Sequence, residues 1–188
     1  LFSEHVRHTS TYFASFVREI RALRYPSLDI HVGIETKALD ANGRLDCSPQ
    51  IASLCDAIVG SIHNPPPSEQ GMSRSWSQLD AESALELEFQ LSMAIITKSR
   101  AHILGHPMGM AVTKFDLRPM EQLYELACAC RESGKAFELN TRYCSSPPDW
   151  VETVQRADCK VSFGSDAHKI EDVGSAWRIF TPQGRERQ

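Results

Sequence analysis

No stretch of the 188 residues approaches the roughly 18 consecutive apolar positions that a membrane-crossing helix requires. The opening residues, Leu1 to His5, also lack the basic-then-apolar order of a secretory leader. No membrane partner is expected, and the protein reads as cytoplasmic. An excess of positive charge is missing too: 20 Lys and Arg stand against 24 Asp and Glu, for a net charge of −4. That balance excludes wholesale electrostatic attraction to nucleic acid and leaves only a local basic groove as a route to it. Paired CxxC spacing is absent among Cys47, Cys55, Cys128, Cys130, Cys144 and Cys159. A zinc ribbon or a thiol redox motif is therefore excluded, and reduced packing thiols are expected. Nor is there an internal repeat, a low-complexity tract or a linker. With 41% hydrophobic residues at this length, one domain over 1–188 with a real core is the expectation.

What is present is an alternation of helical and strand periodicities. Tyr12, Phe16, Ile20 and Leu23 recur at helical spacing between Thr11 and Leu23, and Pro26 ends that pattern. Leu28 to Glu35 alternates apolar and polar residues as a strand does, and Asn42-Gly43 is a hairpin-type turn. Ala57 to His63 is a short apolar run of the buried parallel kind, followed by a breaker-rich loop from Asn64 to Gly71. Because it follows His63, that loop would lie beside any site formed there, where a lid would be. Ser77, with Asp80 three residues on, is placed to cap the longest helix, which runs to about Lys98. A very short strand at His102 to Gly105 precedes a helix from about Pro119 to Ser133, capped by Gly134. Lys135 to Leu139 is a strand, Ser146-Pro147 opens another helix, and Lys160 to Gly164 is the last strand. Such alternation implies parallel strands with crossover helices, in a doubly wound sheet or a barrel.

Metal-type side chains recur at the carboxyl ends of these strands: Glu35, His63, His106, Glu138 with Asn140, and Asp166 with His168. That edge of a parallel sheet is where sites are assembled, since several strand ends converge there and their loops vary independently. Imidazole and carboxylate donors gathered from many strands point to a metal centre. The donor set suits Zn, Mn or Fe better than Ca or Mg, and a carboxylate such as Glu35 can bridge two ions.

These residues resemble the signature of the PHP (polymerase and histidinol phosphatase) family. The match runs through Ser3-Glu4-His5, Gly33-Ile34-Glu35, Gly60 to His63, Gly105-His106-Pro107, Glu138 to Asn140, and Gly164 to His168. The resemblance implies an α/β fold, a distorted (β/α)7 barrel whose mouth holds about two or three divalent metal ions. By position it carries the ligand role onto His5, Glu35, His63, His106, Asp166 and His168, with Asp166, His168 and Glu35 as the catalytic set. It implies hydrolysis of a phosphoester by a hydroxide made at the metals. The substrate would be a small phosphorylated metabolite such as one like histidinol phosphate, with nucleotide or nucleic-acid phosphodiesters as the alternative. PHP proteins open with a His-x-His strand ahead of the Ser-Glu-His position, and this first strand is expected to be missing from the present chain. Arg7 and Arg142 are placed to contact a phosphate with paired N–H donors.

Two other readings stand beside this one. A non-catalytic PHP module would keep the fold for binding or structure, and a metal-dependent amidohydrolase shares barrel-mouth histidines and a late aspartate. Asp166 alone could serve as a helix cap, and Asn140 could serve the loop backbone. His8, His31 and His102 are assigned to packing or surface positions.

Overall fold

A computed structural model describes residues 1–67 and 72–181. The end of the breaker-rich loop, Ser68 to Gly71, read above as part of a possible lid, lies outside the described residues. Six strands form one sheet: β1 (Phe2–His5), β2 (Val32–Lys37), β3 (Ala57–Ser61), β4 (Ile103–Leu104), β5 (Ala136–Asn140) and β6 (Lys160–Gly164). All neighbours are parallel and they lie in chain order from β1 to β6. The order never reverses, as it must in a doubly wound sheet, so right-handed crossovers bring every connecting helix to the same face. Such a sheet is the wall of a barrel. Its curl can be measured: laid flat, six strands would put β1 and β6 roughly 24 Å apart. Instead the His5 ring at the end of β1 comes within 6.5 Å of the His168 ring just beyond β6.

The helices are α1 (Phe13–Ala22), α2 (Pro49–Ala52), α3 (Ala81–Lys98), α4 (Gly109–Phe115), α5 (Met120–Glu132), α6 (Pro147–Ala157) and α7 (Ser175–Phe180). Each turns an apolar stripe onto the sheet or a neighbouring helix: Phe13 and Val17 from α1, Leu91 and Ile95 from α3, Leu123 and Leu126 from α5, Trp150 and Val154 from α6. Trp150 meets Phe137 of β5 edge-on at 6.3 Å. Burying side chains of this size stabilises the fold by about 1.5–3 kcal/mol apiece. Gly134, at φ +69, supplies the left-handed residue that ends α5 before β5 begins. The Asn42-Gly43 turn is present, closing an isolated antiparallel bridge between Ala38 and Leu45.

Several boundaries differ from the sequence expectation. The cap of α3 is Asp80, whose carboxylate accepts the Ser83 N–H at 2.8 Å, and not Ser77. Ser75 caps a separate 3-10 turn over Trp76–Gln78, where the Gln78 side chain accepts the Ser75 N–H at 2.7 Å. Two capping motifs overlap in this stretch, and the extended backbone of Leu79 separates them. β2 begins at Val32 rather than Leu28, because pairing with β1 starts at Phe2 opposite Val32 and Leu28 faces solvent. β1 itself is a short edge strand without a periodic pattern, and α2, α4 and α7 are too short for periodicity to reveal.

Candidate metal centre

The carboxyl ends of the six strands surround a cleft of about 610 Å³. Glu35, at the middle of its floor, extends from β2 and is contacted from both sides. Its Oε1 lies 2.9 Å from His63 Nε2 and 3.3 Å from His106 Nε2, and its Oε2 lies 3.4 Å from His5 Nε2. His63 and His106 also face one another through their Nε2 atoms at 3.2 Å, and their rings stack at 5.1 Å. Donor atoms of His5, Glu35 and His63 all fall within 4.8 Å of one another, the spacing of ligands around one cation. Three imidazole nitrogens aimed at one carboxylate are the borderline-soft donor set that Zn, Mn and Fe prefer, so these residues fit a divalent ion.

Local structure holds each donor in place. The Tyr12 hydroxyl donates to the His5 carbonyl at 2.5 Å, pinning the end of β1 to the start of α1. His63 follows β3, and its own carbonyl accepts the Trp76 indole N–H at 2.9 Å. His106 follows β4 with φ +29, and Asp166 follows β6 with φ +46. Both are non-glycine residues in the left-handed region, which costs on the order of 1–2 kcal/mol each and gathers at functional sites. The His106 N–H donates to Glu138 Oε2 at 2.6 Å, and the Asn140 amide donates to the same oxygen at 3.2 Å. Glu138 thus positions His106 from behind. Gly164 makes room for this: a Cβ there would overlap Glu138 Oε1 and stand 2.5 Å from its Cδ.

Asp166 and His168 form the opposite wall. His168 Nδ1 lies 2.8 Å from the Asp166 carbonyl and 3.2 Å from Arg142 Nη1, which together hold the ring against this wall. Arg142 Nη1 lies 3.3 Å from Asp166 Oδ2, so the guanidinium enters the cleft beside that carboxylate.

The electrostatics follow from this packing. Burial alone would raise Glu35, but hydrogen bonds from His106, His5 and His63 prevail and hold its carboxyl far below the usual range. The Glu35 bond raises the His5 pKa against the effect of burial. Burial would lower His106, yet Glu35, with Glu138 and Glu88 behind it, raises it. Glu138 is pushed up by burial, partly offset by His106. The site is a carboxylate ringed by imidazoles, donors for which protons and a cation would compete.

A PHP-associated family model matches residues 152–187. A probable phosphatase of Caldanaerobacter subterraneus subsp. tengcongensis is 24% identical over 155 residues, covering 78% of this chain and 54% of its own length. One from Thermoanaerobacter sp. strain X514 is also 24% identical, over 78% of this chain and 56% of the relative. The chain therefore spans about half the length of the curated relatives it matches. Among solved structures, histidinol phosphate phosphatase from Lactococcus lactis subsp. lactis, complexed with zinc, L-histidinol and phosphate, superposes with a TM-score of 0.69 at 16% identity. That match covers 95% of this chain and 79% of the other. The chain is therefore similar to PHP-associated sequences near its end and shares the fold of a histidinol phosphate phosphatase.

The fold brings together most of the residues singled out from sequence. His5, Glu35, His63, Asp166, His168 and Arg142 line the cleft, and His106, only 3% exposed, sits directly beneath it. Arg7 is exposed on the loop after β1 and is not among the lining residues. His31 and His102 are exposed outside the cleft; His102 Nδ1 accepts the Ile58 N–H at 3.0 Å, a structural role. Sequence reasoning missed Tyr143 and Trp76. Tyr143 covers His106 at 4.5 Å between ring centroids, and Gly109 lets it do so, since a Cβ at Gly109 would stand 2.9 Å from the Tyr143 ring. The one available signal was position: Tyr143 lies in the loop after β5, on the side where the ligands gather. Also missed were Met110, Thr113 and Lys114 of α4, a helix that the sequence did not announce. Among the described residues no helix is long and apolar enough to cross a membrane.

Proposed function

We propose that this PHP-like domain hydrolyses a phosphomonoester of a small molecule about the size of histidinol phosphate. His5, Glu35, His63, His106, Asp166 and His168 would hold the divalent ions. The observation that carries the reading is the convergence of His5, Glu35, His63, Asp166 and His168 on one cleft, with His106 beneath it against Glu35 and Arg142 at its wall. Bound ions of the Zn, Mn or Fe class would supply Lewis acidity toward the phosphoryl oxygens and a lowered pKa for water in the cleft.

The chain's own residues do the rest. Glu35 orients three imidazoles at once, so its two oxygens set the spacing of the centre. Arg142, already beside Asp166, places guanidinium N–H donors toward a phosphoryl oxygen bound between the two walls. His168, held through Nδ1 between the Asp166 carbonyl and Arg142, would offer its ring to the cleft. Tyr143 and Trp76 exclude water from the His106 and His63 side, which strengthens each charge interaction there.

Replacing Asp166 by Ala tests the assignment in the full-length protein. Phosphatase activity with Mn or Zn should fall roughly 100-fold or more, and bound metal measured by elemental analysis should fall with it. The circular dichroism spectrum should be retained. Activity equal to that of the parent protein would show that the site is wrongly assigned.

A further inference from the structure

We infer that the end of the cleft remote from the metal-type cluster recognises an anionic leaving group through Lys114, selecting carboxylated or phosphorylated phosphomonoesters over those of cationic amino alcohols. This rests on the phosphomonoester reading above and refines it. The cleft, at about 610 Å³, has room for a leaving group as well as a phosphate. Among the described residues its lining contains two carboxylates, and both are engaged with the metal-type side chains or Arg142. Glu35 is shared among three imidazoles, and Asp166 lies against Arg142 and His168. No carboxylate among the described lining residues is left to pair with an ammonium on the leaving group.

Beyond the metal-type residues and Arg142, the described lining is neutral or positive. Asn64, Ser75, Ser77 and Thr113 offer uncharged hydrogen-bonding groups, and Met110 and, beside His63, Trp76 offer apolar surface. Lys114 is the only charged residue of that remainder among the described lining residues. It stands in the last turn of α4, whose first residue bonds to His106 through the Gly109 N–H at 2.9 Å, so the helix spaces Lys114 away from the centre by its own length. Its ammonium has no carboxylate within ion-pair distance among the described residues, and its side chain is exposed toward the cleft. A lysine in a last turn also complements the helix dipole, but that role does not require it to line a cleft. A free cation opposite a site for phosphate favours a substrate with negative charge at both ends and disfavours an ammonium there.

The test uses three matched aryl phosphates on the full-length protein with Mn or Zn: 4-methylphenyl, 4-carboxyphenyl and 4-(aminomethyl)phenyl phosphate. The readout is the ratio of kcat/KM for the carboxylated to the aminomethyl probe, compared between the parent protein, Lys114→Ala and Lys114→Glu. Taking the ratio between proteins cancels the intrinsic reactivity of each probe. The ratio should fall about threefold to fivefold in Lys114→Ala and on the order of tenfold or more in Lys114→Glu, while Lys114→Arg keeps it. Hydrolysis of the methyl probe with a ratio unchanged within about twofold across all variants overturns the assignment of Lys114 and leaves the phosphomonoester reading standing. Failure of the parent protein to hydrolyse any of the three probes overturns that reading and this one together.

Discussion

Glu88 on α3 is only 1% exposed, and its burial makes a prediction that can be worked through in numbers. Its Oε1 accepts the Met110 N–H at 2.9 Å and its Oε2 accepts the Ala111 N–H at 2.7 Å. These are first-turn N–H groups of α4, which has no capping side chain of its own. Burial raises the carboxyl from 4.5 to about 7; the two backbone donors and the nearby His106 oppose the rise and do not cancel it. Below about pH 4.5 the group is protonated in both the folded and the unfolded chain. Between about 4.5 and 7 unfolding releases a proton, so stability falls as pH rises, and above 7 the loss is complete at about 3 kcal/mol. Glu88→Gln removes the titration, although its NH2 group cannot accept the second of the two backbone N–H bonds, which costs the variant a pH-independent amount. Guanidinium unfolding in the presence of chelator, followed by circular dichroism, reads the stability difference between variant and parent at pH 5 and pH 8. Between those two values the difference should move in favour of the variant by roughly 2–3 kcal/mol. Titrations of groups that Glu88 does not influence cancel in the comparison. A difference that stays the same within about 0.5 kcal/mol from pH 5 to pH 8 would refute the reasoning, because the two backbone hydrogen bonds would then offset the desolvation they oppose.

Two further outcomes follow from the centre itself. Gly164→Ala should destabilise the protein by about 2–4 kcal/mol, since the new methyl must displace the Glu138 carboxylate that holds the His106 N–H; chemical denaturation measures the loss, and a change within 0.5 kcal/mol would show that Glu138 has room to move. Binding of Zn or Mn should release protons near neutral pH, because His5 and His106 have raised pKa values and hold protons that the metal must displace; affinity should therefore climb as pH rises through and above 6.5. Calorimetry in two buffers of different ionisation heat reads the release directly, and identical apparent heats would contradict it.

Much of this site could be read from the residues in order. His5 ends a strand, His63, His106, Asp166 and His168 follow one, and Glu35 stands two residues before the end of β2, which runs on to Lys37 instead of stopping at Glu35; a parallel strand delivers its last side chains to the same edge as its neighbours regardless of how the helices pack. Local chemistry also carried the hairpin at Asn42-Gly43, the stop at Gly134 and the proline start of α6, since each depends on one or two residues' own backbone preferences. What only the tertiary structure decided are features with a partner far away in sequence. Helix α4 exists because Glu88, brought from α3, meets its first N–H groups, and without α4 there is no Lys114 at the cleft. Tyr143 over His106, Trp76 behind His63, and Glu138 against Gly164 are contacts between elements whose periodicity gives no hint of one another. Short edge strands such as β1 belong with these, because four residues hold too little pattern and are fixed by the hydrogen bonds of a neighbour. Donor positions depend on where each strand ends, which sequence encodes locally. The orientation and charge state of those donors depend on long-range packing, which it encodes only through the fold.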